Sequence, residues 1–351
     1  MKKRATIVDI AKEAHSSAAT VSRVLSGSDY PVSSELRTRI LAIAAKMNYT
    51  PNIYSQILRG RTNREIGVIV PSITNPFYAQ LVSSIEKECL RRGYVLVICS
   101  SQNNTKFETE HLNMLIRKQV VGILLSSIHL DDTFLKPLQE SDIPFVLFDQ
   151  PCDTYSGDSV SFDFYKAGYI ATEYLLNCGH RDIAFASGPI DRLSRKQLLA
   201  GFKQALRDKG VRFNQRRLIL NSDAASNVDA EHDTYCGQQL AAAMLQDDYL
   251  PDAVLAVNDM IAIGIIKYME SQGVYIPVDL SVIGMDNIYI SELVVPALTT
   301  VNQPAGETGR LAANILMDRV EAKQSKPQQV VLQPALIERD SVRKVHRKVK
   351  R

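Results

Sequence analysis

From residue 64 onward, short apolar runs alternate with longer amphipathic stretches. The runs are continuously apolar, which is typical of strands buried on both faces in parallel sheets covered by helices. The predicted strands are 66–70, 95–99, 122–125, 145–148, 183–186, 253–257 and 282–284, and the predicted helices are 77–92, 107–119, 164–178, 195–210 and 259–272. The pattern therefore predicts an α/β body.

Two parts of this body repeat the same order of elements. Residues 66–99 and 183–220 each run from a strand through a long helix and a basic-Gly turn into another strand. The repeat predicts two doubly wound lobes with a cleft between them, because ligands of such sheets bind beyond the carboxyl ends of the strands.

The first fifty residues show helical periodicity instead. Thr6 and Asp9 have the spacing of a capping box, Ser17 is positioned to cap a second helix, and Ser33 begins a third. The predicted inward-facing side chains are Ile7, Ile10, Ala11, Ala14, Val21, Val24, Leu25, Leu36, Ile40, Ala44 and Met47. Two short helices joined by the turn His15-Ser16 and braced by a third form an all-α helix-turn-helix head.

One face of the second predicted helix has the chemistry of a recognition surface. Ala18 and Ala19 are small enough for close approach to a DNA groove, and Ser22 and Arg23 offer hydrogen bonds to phosphates or base edges. The alternative is the solvated face of an ordinary three-helix bundle. A seven-residue segment follows at 53–59, too short for a stable free helix, in which Leu58 is either a minor-groove wedge or a contact between two copies.

Charge is unevenly distributed along the chain. Residues 1–62 carry ten basic against four acidic side chains, residues 63–340 carry 25 against 34, and the last eleven residues carry six basic side chains and no acidic one. A basic head on an acidic body indicates that the head alone meets a polyanion. The tail 342–351 is expected to be disordered and solvated, with non-specific DNA attraction as the alternative.

Several classes of protein do not fit the sequence. No apolar run reaches the length of a membrane span, and the five scattered cysteines form neither a C-x-x-C pair nor a disulfide framework. The chain has no G-x-S-x-G, P-loop or H-E-x-x-H motif, so neither catalytic residues, nor a metal site, nor a cofactor is expected. We expect a cytoplasmic protein.

Polar side chains follow several of the predicted strands, where a cleft ligand would bind. They are Asn75, Ser126, Asp149, Asn258, Asp259 and Asp286, with Phe77, Tyr78 and Phe162 as stacking candidates. The alternative is that the Asn and Asp residues only cap the helices that follow, and for Asp259 we favour the cap. His180 follows Gly179 and is expected to shape a turn rather than to catalyse.

Motifs over residues 5–340 resemble the LacI/GalR family of transcriptional regulators. In the head they are Asp9-Ile10-Ala11, the run from Ala18 to Leu25, and Asn48-Tyr49-x-Pro51-Asn52. In the body they include Asn75-Pro76-Phe77-Tyr78, Gly179-His180-Arg181, Ala200-Gly201-Phe202, Asn258-Asp259-Met260 and Leu298-Thr299-Thr300-x-x-Gln303-Pro304. The resemblance implies a periplasmic-binding-protein-like pair of lobes that the chain links three times.

The resemblance also implies site residues. The DNA-binding candidates are Thr6, Ser17, Ala18, Ala19, Thr20, Ser22, Arg23, Asn52, Ser55 and Leu58. The effector-binding candidates are Asn75, Phe77, Tyr78, Ser126, Asp149, Phe162, Ser194, Asn258, Asp286 and Gln303.

The sequence departs from the family pattern in the head and in the cleft. His15 and Ser16 replace a usual Gly and apolar residue, so we expect a marginally stable head. Leu198 replaces an Arg, Ala224 an aromatic residue, and Met285 a Tyr or Phe, which predicts a less polar and less aromatic cleft. Arg195 is about 300° from position 198 around a helix, so we do not expect it to substitute.

The predicted domains are a helix-turn-helix at 1–50, a hinge helix and linker at 51–63, a two-lobed body at 64–340 and a basic tail at 341–351. Lobe 1 is expected at about 64–162 and 291–321, and lobe 2 at about 163–290 and 322–340. The expected function is that of a homodimeric repressor that binds a pseudo-palindromic DNA operator and a small-molecule effector, a sugar or related metabolite. Alternatives are control by a protein co-regulator, or a ligand-binding protein that has lost DNA binding.

Overall fold

The computed structural model describes residues 5–26, 30–49, 63–129, 133–152, 154–221, 231–246, 250–323 and 326–345. The chain divides into two compact units, Met1–Asn63 and Arg64–Arg351. We call the first unit the head and the second the body.

The head contains three helices among its described residues: α1 (Ile7–Glu13), α2 (Ala18–Leu25) and α3 (Ser34–Lys46). Each begins directly after the residue predicted to cap it. Thr6 and Asp9 form the full capping box, and the hydroxyls of Ser17 and Ser33 accept from the backbone N–H of Thr20 and Leu36. Ile10, Val21 and Ile40 are fully buried, which confirms the predicted apolar faces.

The turn between α1 and α2 has a backbone geometry that favours glycine, which this sequence lacks at position 15. His15 lies in the left-handed region with φ of 51°, where a side chain is less well tolerated than glycine. Ser16, which follows, is half-buried.

The body contains two mostly parallel six-stranded sheets within its described residues, which confirms the predicted fold class. The first sheet is formed by β1 (Glu65–Val70), β2 (Val95–Ser100), β3 (Gly122–Leu125), β4 (Phe145–Asp149), β5 (Ser159–Phe162) and β11 (Gln329–Leu332). Its spatial order is β11-β5-β4-β3-β1-β2, and every pairing is parallel.

The second sheet is formed by β6 (Ile183–Ser187), β7 (Leu218–Leu220), β8 (Ala253–Ala256), β9 (Ser281–Asp286), β10 (Thr299–Asn302) and β12 (Ala335–Ile337). Its order is β12-β10-β9-β8-β6-β7, with only β12 antiparallel to its neighbour. Strands β6 and β8 are buried along their whole length, as the continuously apolar runs predicted.

Helices cover both sheets. They are α4 (Pro76–Arg91), α5 (Thr105–Lys118), α6 (Lys136–Gln139), α7 (Phe164–Asn177), α8 (Leu193–Asp208), α9 (Glu231–Leu245), α10 (Asp259–Ser271), α11 (Ile290–Leu293) and α12 (Ala305–Val320). Short 3-10 turns lie at Thr133–Leu135 and Gln215–Arg217. The pairs α7–α8, α9–α10 and α4–α12 pack side by side.

The close packing of α7 on α8 depends on two glycines. A Cβ at Gly168 would lie 2.1 Å from the Leu198 carbonyl oxygen, and one at Gly201 would lie 1.9 Å from the Tyr165 carbonyl oxygen. No side chain fits at these distances, so the two helix backbones lie in contact. The crossing fixes the position of α8, whose first turn contributes to the cleft.

The chain crosses between the lobes after β5, after β10 and after β11. The predicted lobe boundaries assign two strands, β10 and β11, to the wrong lobe. Strand β10 pairs with β9 in lobe 2, although residues 291–321 were expected in lobe 1, and β11 pairs with β5 in lobe 1, although 322–340 were expected in lobe 2. The misplacement arises because neither short strand has a continuous apolar run: β10 is buried but contains Thr299, Thr300 and Asn302, and β11 alternates between exposed and half-buried positions.

The expectation of a solvated tail from residue 342 was also wrong for its first residues. Ser341 is fully buried, its hydroxyl donates to the Val282 carbonyl oxygen at 2.6 Å, and Val345 N–H donates to the Cys178 carbonyl oxygen at 2.7 Å. Buried His180 contacts the Arg343 carbonyl oxygen through Nε2 at 3.1 Å. His180 thus anchors the start of the tail on lobe 2; residues 346–351 lie outside the described residues.

Candidate DNA-binding surface and effector cleft

The outer face of α2 presents the predicted recognition side chains. Ala18, Ala19 and Arg23 are exposed, and Thr20 and Ser22 are half-buried. Ser17 is exposed, but its hydroxyl caps α2 and lies 2.9 Å from the Thr20 hydroxyl. Thr6 likewise donates its hydroxyl to Asp9 at 2.7 Å. Both hydroxyls therefore have a local capping role.

Arg23 has an aromatic partner that the sequence did not reveal. Its guanidinium carbon lies 4.1 Å from the ring centroid of Tyr30, a cation–π distance. The stacking limits the rotamers of Arg23 and leaves its N–H groups at the exposed face of α2. The predicted hinge residues Asn52, Ser55 and Leu58 lie outside the described residues.

The cleft between the two lobes of the body holds a cavity of about 80 Å³. Eight of the ten effector candidates line it: Asn75, Phe77, Tyr78, Asp149, Ser194, Asn258, Asp286 and Gln303. Leu198 and Arg195, which were singled out as departures from the family pattern, also lie in the wall. The wall is completed by residues that had not been predicted there: Ser72, Asn103, Gln150, Phe164, Arg192, Asp233 and Val257. Most of the wall residues are polar. That the cleft is less polar and less aromatic than is usual in the family stays a prediction.

Two effector candidates lie outside the cavity wall. Ser126 is fully buried behind it and donates its hydroxyl to Asp149 at 3.0 Å, so it supports a wall residue. Phe162 is buried in the core of lobe 2 and packs edge-to-face on Phe164 with centroids 5.1 Å apart. Phe164, the first residue of α7, is the aromatic side chain that lines the cavity.

Asp149 is held by four side-chain donors. Its Oδ2 accepts from Tyr78 Oη at 3.1 Å, Ser126 Oγ at 3.0 Å and Gln150 Nε2 at 2.9 Å, and its Oδ1 accepts from Gln303 Nε2 at 2.5 Å. Burial raises the Asp149 pKa, and these hydrogen bonds oppose that rise. Because Gln303 follows β10 at the second crossing, the carboxylate of lobe 1 is tied to a connection between the lobes.

Two arginines of α8 and its cap line the cleft despite Leu198. Arg192 is 8% exposed, and Arg195 donates to the Pro189 carbonyl oxygen at 2.7 Å and to Asp191 at 3.2 Å. Burial and then the charge of Arg192 lower the Arg195 pKa to about 10. Arg195 lines the same wall as Leu198, because a rotation of 300° equals 60° in the other direction and places residues three apart on adjacent faces. That Arg195 does not substitute for an Arg at position 198 stays a prediction.

The cap of α10 is Asn258 and not Asp259, for which the cap was favoured. Asn258 caps α10, with its Oδ1 accepting from Ile261 N–H at 2.7 Å, and it also lines the cavity. Asp259 is fully buried and accepts from the Ser291 and Thr300 hydroxyls, each at 2.6 Å. Asp259 thus joins β10 and α11 beneath the cleft floor. The caps at Asn75 and Asn258 show that capping and cavity lining are combined here.

The electrostatics of the cleft are dominated by carboxylates and guanidinium groups held close together. Burial, followed by the charges of Asp259, Asp149 and Asp233, raises the pKa of Asp286 well above its ordinary value. Burial and then Asp149 raise the pKa of Tyr78. Met285 is buried in the core and contributes nothing to the wall, and Ala224 lies outside the described residues. The cavity therefore offers both strong acceptors and strong donors to a polar ligand.

Comparison with known proteins gives two matching family descriptions. Residues 6–52 match "Bacterial regulatory proteins, lacI family", and residues 172–342 match "Periplasmic binding protein-like domain". The chain is 32% identical over 340 residues to the HTH-type transcriptional repressor PurR of Pasteurella multocida (strain Pm70), covering 97% of this chain and 99% of that protein.

Solved structures extend the similarity to the whole fold. The lac repressor dimer bound to operator and the anti-inducer ONPF is 25% identical with a TM-score of 0.76, covering 97% of this chain and all of that one. The transcriptional regulator CelR in complex with cellobiose is 27% identical with a TM-score of 0.69, covering 96% of this chain and all of that one. Among the described residues, no helix has the length and apolarity to cross a membrane.

Proposed function

The chain belongs to the LacI family of bacterial regulatory proteins, and on that premise we propose which of its residues read DNA and which bind the effector. The protein is a DNA-binding transcriptional repressor that acts as a dimer under the control of a small molecule in the interlobe cleft; it is not an enzyme. The assignment of residues rests on one observation. The same chain has an exposed face on α2 that carries Arg23 and a polar cleft between the lobes of its body.

The proposed DNA contacts divide by chemistry. Ala18, Ala19, Ser22 and Arg23 face the major groove, where small side chains permit approach and Arg23 donates to base edges. Thr6, Ser17 and Thr20 lie at the N-termini of α1 and α2, which favour phosphate oxygens. Asn52 and Ser55 contact the DNA backbone near the minor groove, and Leu58 opens a base step there. Two heads of a dimer fit a pseudo-palindromic operator.

The proposed effector is a sugar or a related ring-containing metabolite. The guanidinium groups of Arg192 and Arg195 supply donors to its oxygen atoms, Asp286 accepts from its hydroxyl or N–H groups, and Phe77, Tyr78 and Phe164 contact its apolar face. A relative of similar fold is described in complex with cellobiose. Effector binding changes lobe closure, which changes the presentation of the two heads to DNA. We place this action in the cytoplasm.

Deletion of residues 1–60 tests the division of labour. The truncated chain is expected to lose binding to any duplex that the full chain selects, because it lacks α2, and to keep ligand binding. Electrophoretic mobility shift of both chains on the same duplex measures the first property. Unchanged DNA binding by the truncated chain would contradict the proposal. A full chain that binds no duplex at all would favour the alternative of a lost DNA-binding role.

A thermal-shift panel of sugars, sugar phosphates, nucleobases and small acids tests the cleft. A compound at 100 times its Kd adds about 2.7 kcal/mol of stability. For a compound that shifts the wild type, R195Q is expected to weaken binding about tenfold to hundredfold, because it removes a charged donor from a buried site. The matched control is R207Q at the exposed end of the same helix. Equal affinities of R195Q and wild type would contradict this placement, and silence across the panel would favour a protein co-regulator.

A further inference from the structure

One carboxylate joins the two walls of the cleft. Asp233, in the first turn of α9 in lobe 2, accepts through Oδ2 from Asn75 Nδ2 at 3.0 Å and from Asn258 Nδ2 at 3.1 Å. Asn75 precedes α4 in lobe 1, and Asn258 precedes α10 in lobe 2. A single oxygen atom of Asp233 therefore connects lobe 1 to lobe 2 at the cavity wall.

The two amide donors are preorganised by the helices that they cap. The Oδ1 atom of Asn75 accepts from Phe77 N–H at 3.0 Å, and that of Asn258 accepts from Ile261 N–H at 2.7 Å. Because each amide oxygen is engaged at a helix N-terminus, each NH₂ group must face away from its helix. The two NH₂ groups converge from opposite lobes and form a site for one acceptor oxygen.

The negative charge of Asp233 strengthens both hydrogen bonds of this bridge and repels other anions from the site. Hydrogen bonds to an ionised carboxylate are shorter and about twice as strong as those between neutral groups. The negative charge of Asp233 contributes to the raised pKa of Asp286 and favours the charged form of half-buried Arg195, so it acts on two further residues of the cavity wall. A ligand oxygen aimed at the two amides meets a carboxylate that already occupies the site.

We propose that Asp233 is a specificity-determining residue of the cleft, serving as an internal carboxylate ligand for the oxygen site formed by Asn75 and Asn258. It holds the lobes together without an effector and excludes a ligand carboxylate from this position. Removal of Asp233 opens the lobes and creates a carboxylate-binding site. The inference rests on the proposed effector cleft, but it concerns hydrogen bonds within the chain, so it can be tested without an effector.

The test measures the distance between the lobes in the full chain, with acetate as the probe. Spin labels are attached at K87C on α4 and K267C on α10, both exposed positions, in a background carrying C152S because the other four cysteines are buried. An excess of unlabelled chain keeps labelled pairs within one protomer of the dimer. Pulsed electron–electron resonance then gives the distance distribution without DNA or effector.

In D233A the distribution is expected to shift to longer distances, and acetate is expected to restore the wild-type distribution by filling the vacated oxygen site. Acetate should leave the wild type unchanged. The matched control is D208A, which removes an exposed carboxylate whose partners, Tyr169 and Gln204, both lie in lobe 2. D208A should give the wild-type distances with and without acetate.

The isosteric variant D233N provides a second measurement should D233A not fold. It keeps an acceptor oxygen but loses the charge, so partial opening without a response to acetate is expected. Wild-type distances in D233A or D233N, or an opening of D233A that acetate does not reverse, would overturn the inference. Because neither operator nor effector is used, these outcomes are independent of whether the proposed DNA and effector contacts hold.

Discussion

Glu108 is a fully buried carboxyl group whose protonation changes near neutral pH. On α5 it accepts from the Ser127 hydroxyl at 2.5 Å and from Ile128 N–H at 3.1 Å. Burial outweighs these hydrogen bonds and raises its pKa from 4.5 to about 7. The folded protein therefore retains a proton that the unfolded chain releases near pH 4.5.

The contribution of Glu108 to the free energy of unfolding should fall as pH rises from 4.5 to about 7, because between these two pKa values the folded state binds more protons at this group than the unfolded state does. E108Q cannot lose a proton, so its stability relative to wild type should increase by roughly 3 kcal/mol across the window. Urea denaturation at a series of pH values measures the difference. E110Q, at an exposed position on the same helix, should show no pH-dependent difference in stability from wild type. A difference that does not change with pH for E108Q would contradict the account.

At the residue scale, part of the cavity wall could be predicted from position in the sequence. Polar residues directly after apolar strands, such as Asp149 and Asp286, line the cavity because the carboxyl ends of the strands meet there. Phe164, two residues after the candidate Phe162, lines the cavity, whereas Phe162 packs behind it, and no local pattern distinguishes the two aromatic residues. Asp233 had no such signal, since it follows no strand and lies inside a helix.

At the element scale, the turn between α1 and α2 is a weak point of the head. His15 adopts φ of 51°, a conformation that glycine adopts without a Cβ penalty. H15G is therefore expected to stabilise the head by about 0.5–1 kcal/mol. Hydrogen exchange of the α1–α3 amides in the full chain measures the change.

The control for this substitution is E13G, two residues earlier at the end of α1. Its residue is exposed and helical, so the same replacement should destabilise the head by about 1 kcal/mol. Faster exchange in both variants would show that the left-handed turn does not strain the head.

Elements were predictable from the sequence where a local signal existed. The caps at Thr6, Ser17 and Ser33 act within four residues, so the starts of the three head helices were visible. Strands β11 and β12 are short and pair with residues far away in the chain, and β11 alternates between exposed and half-buried positions. Their lobe membership is set by long-range pairing, which no local pattern encodes.

At the scale of the whole molecule, the division of charge along the chain coincides with the division into head and body. Residues 1–62, whose net charge is positive, form nearly all of the head. Residues 63–340, whose net charge is negative, form nearly all of the body. A net negative body is repelled by DNA, which leaves the head as the surface that docks. The chain-wide similarity to a PurR repressor and to the lac repressor dimer accords with this arrangement.

The most direct test of the account is selection of duplexes from a random pool by the full-length protein. We expect enrichment of a pseudo-palindrome with two half-sites about one helical turn apart, because two α2 helices enter successive major grooves. R23Q should lose preference at specific base pairs within each half-site while K46Q, at the end of α3, keeps it. Enrichment of a single asymmetric site, or of no sequence, would contradict the central claim that a dimer of these heads reads an operator.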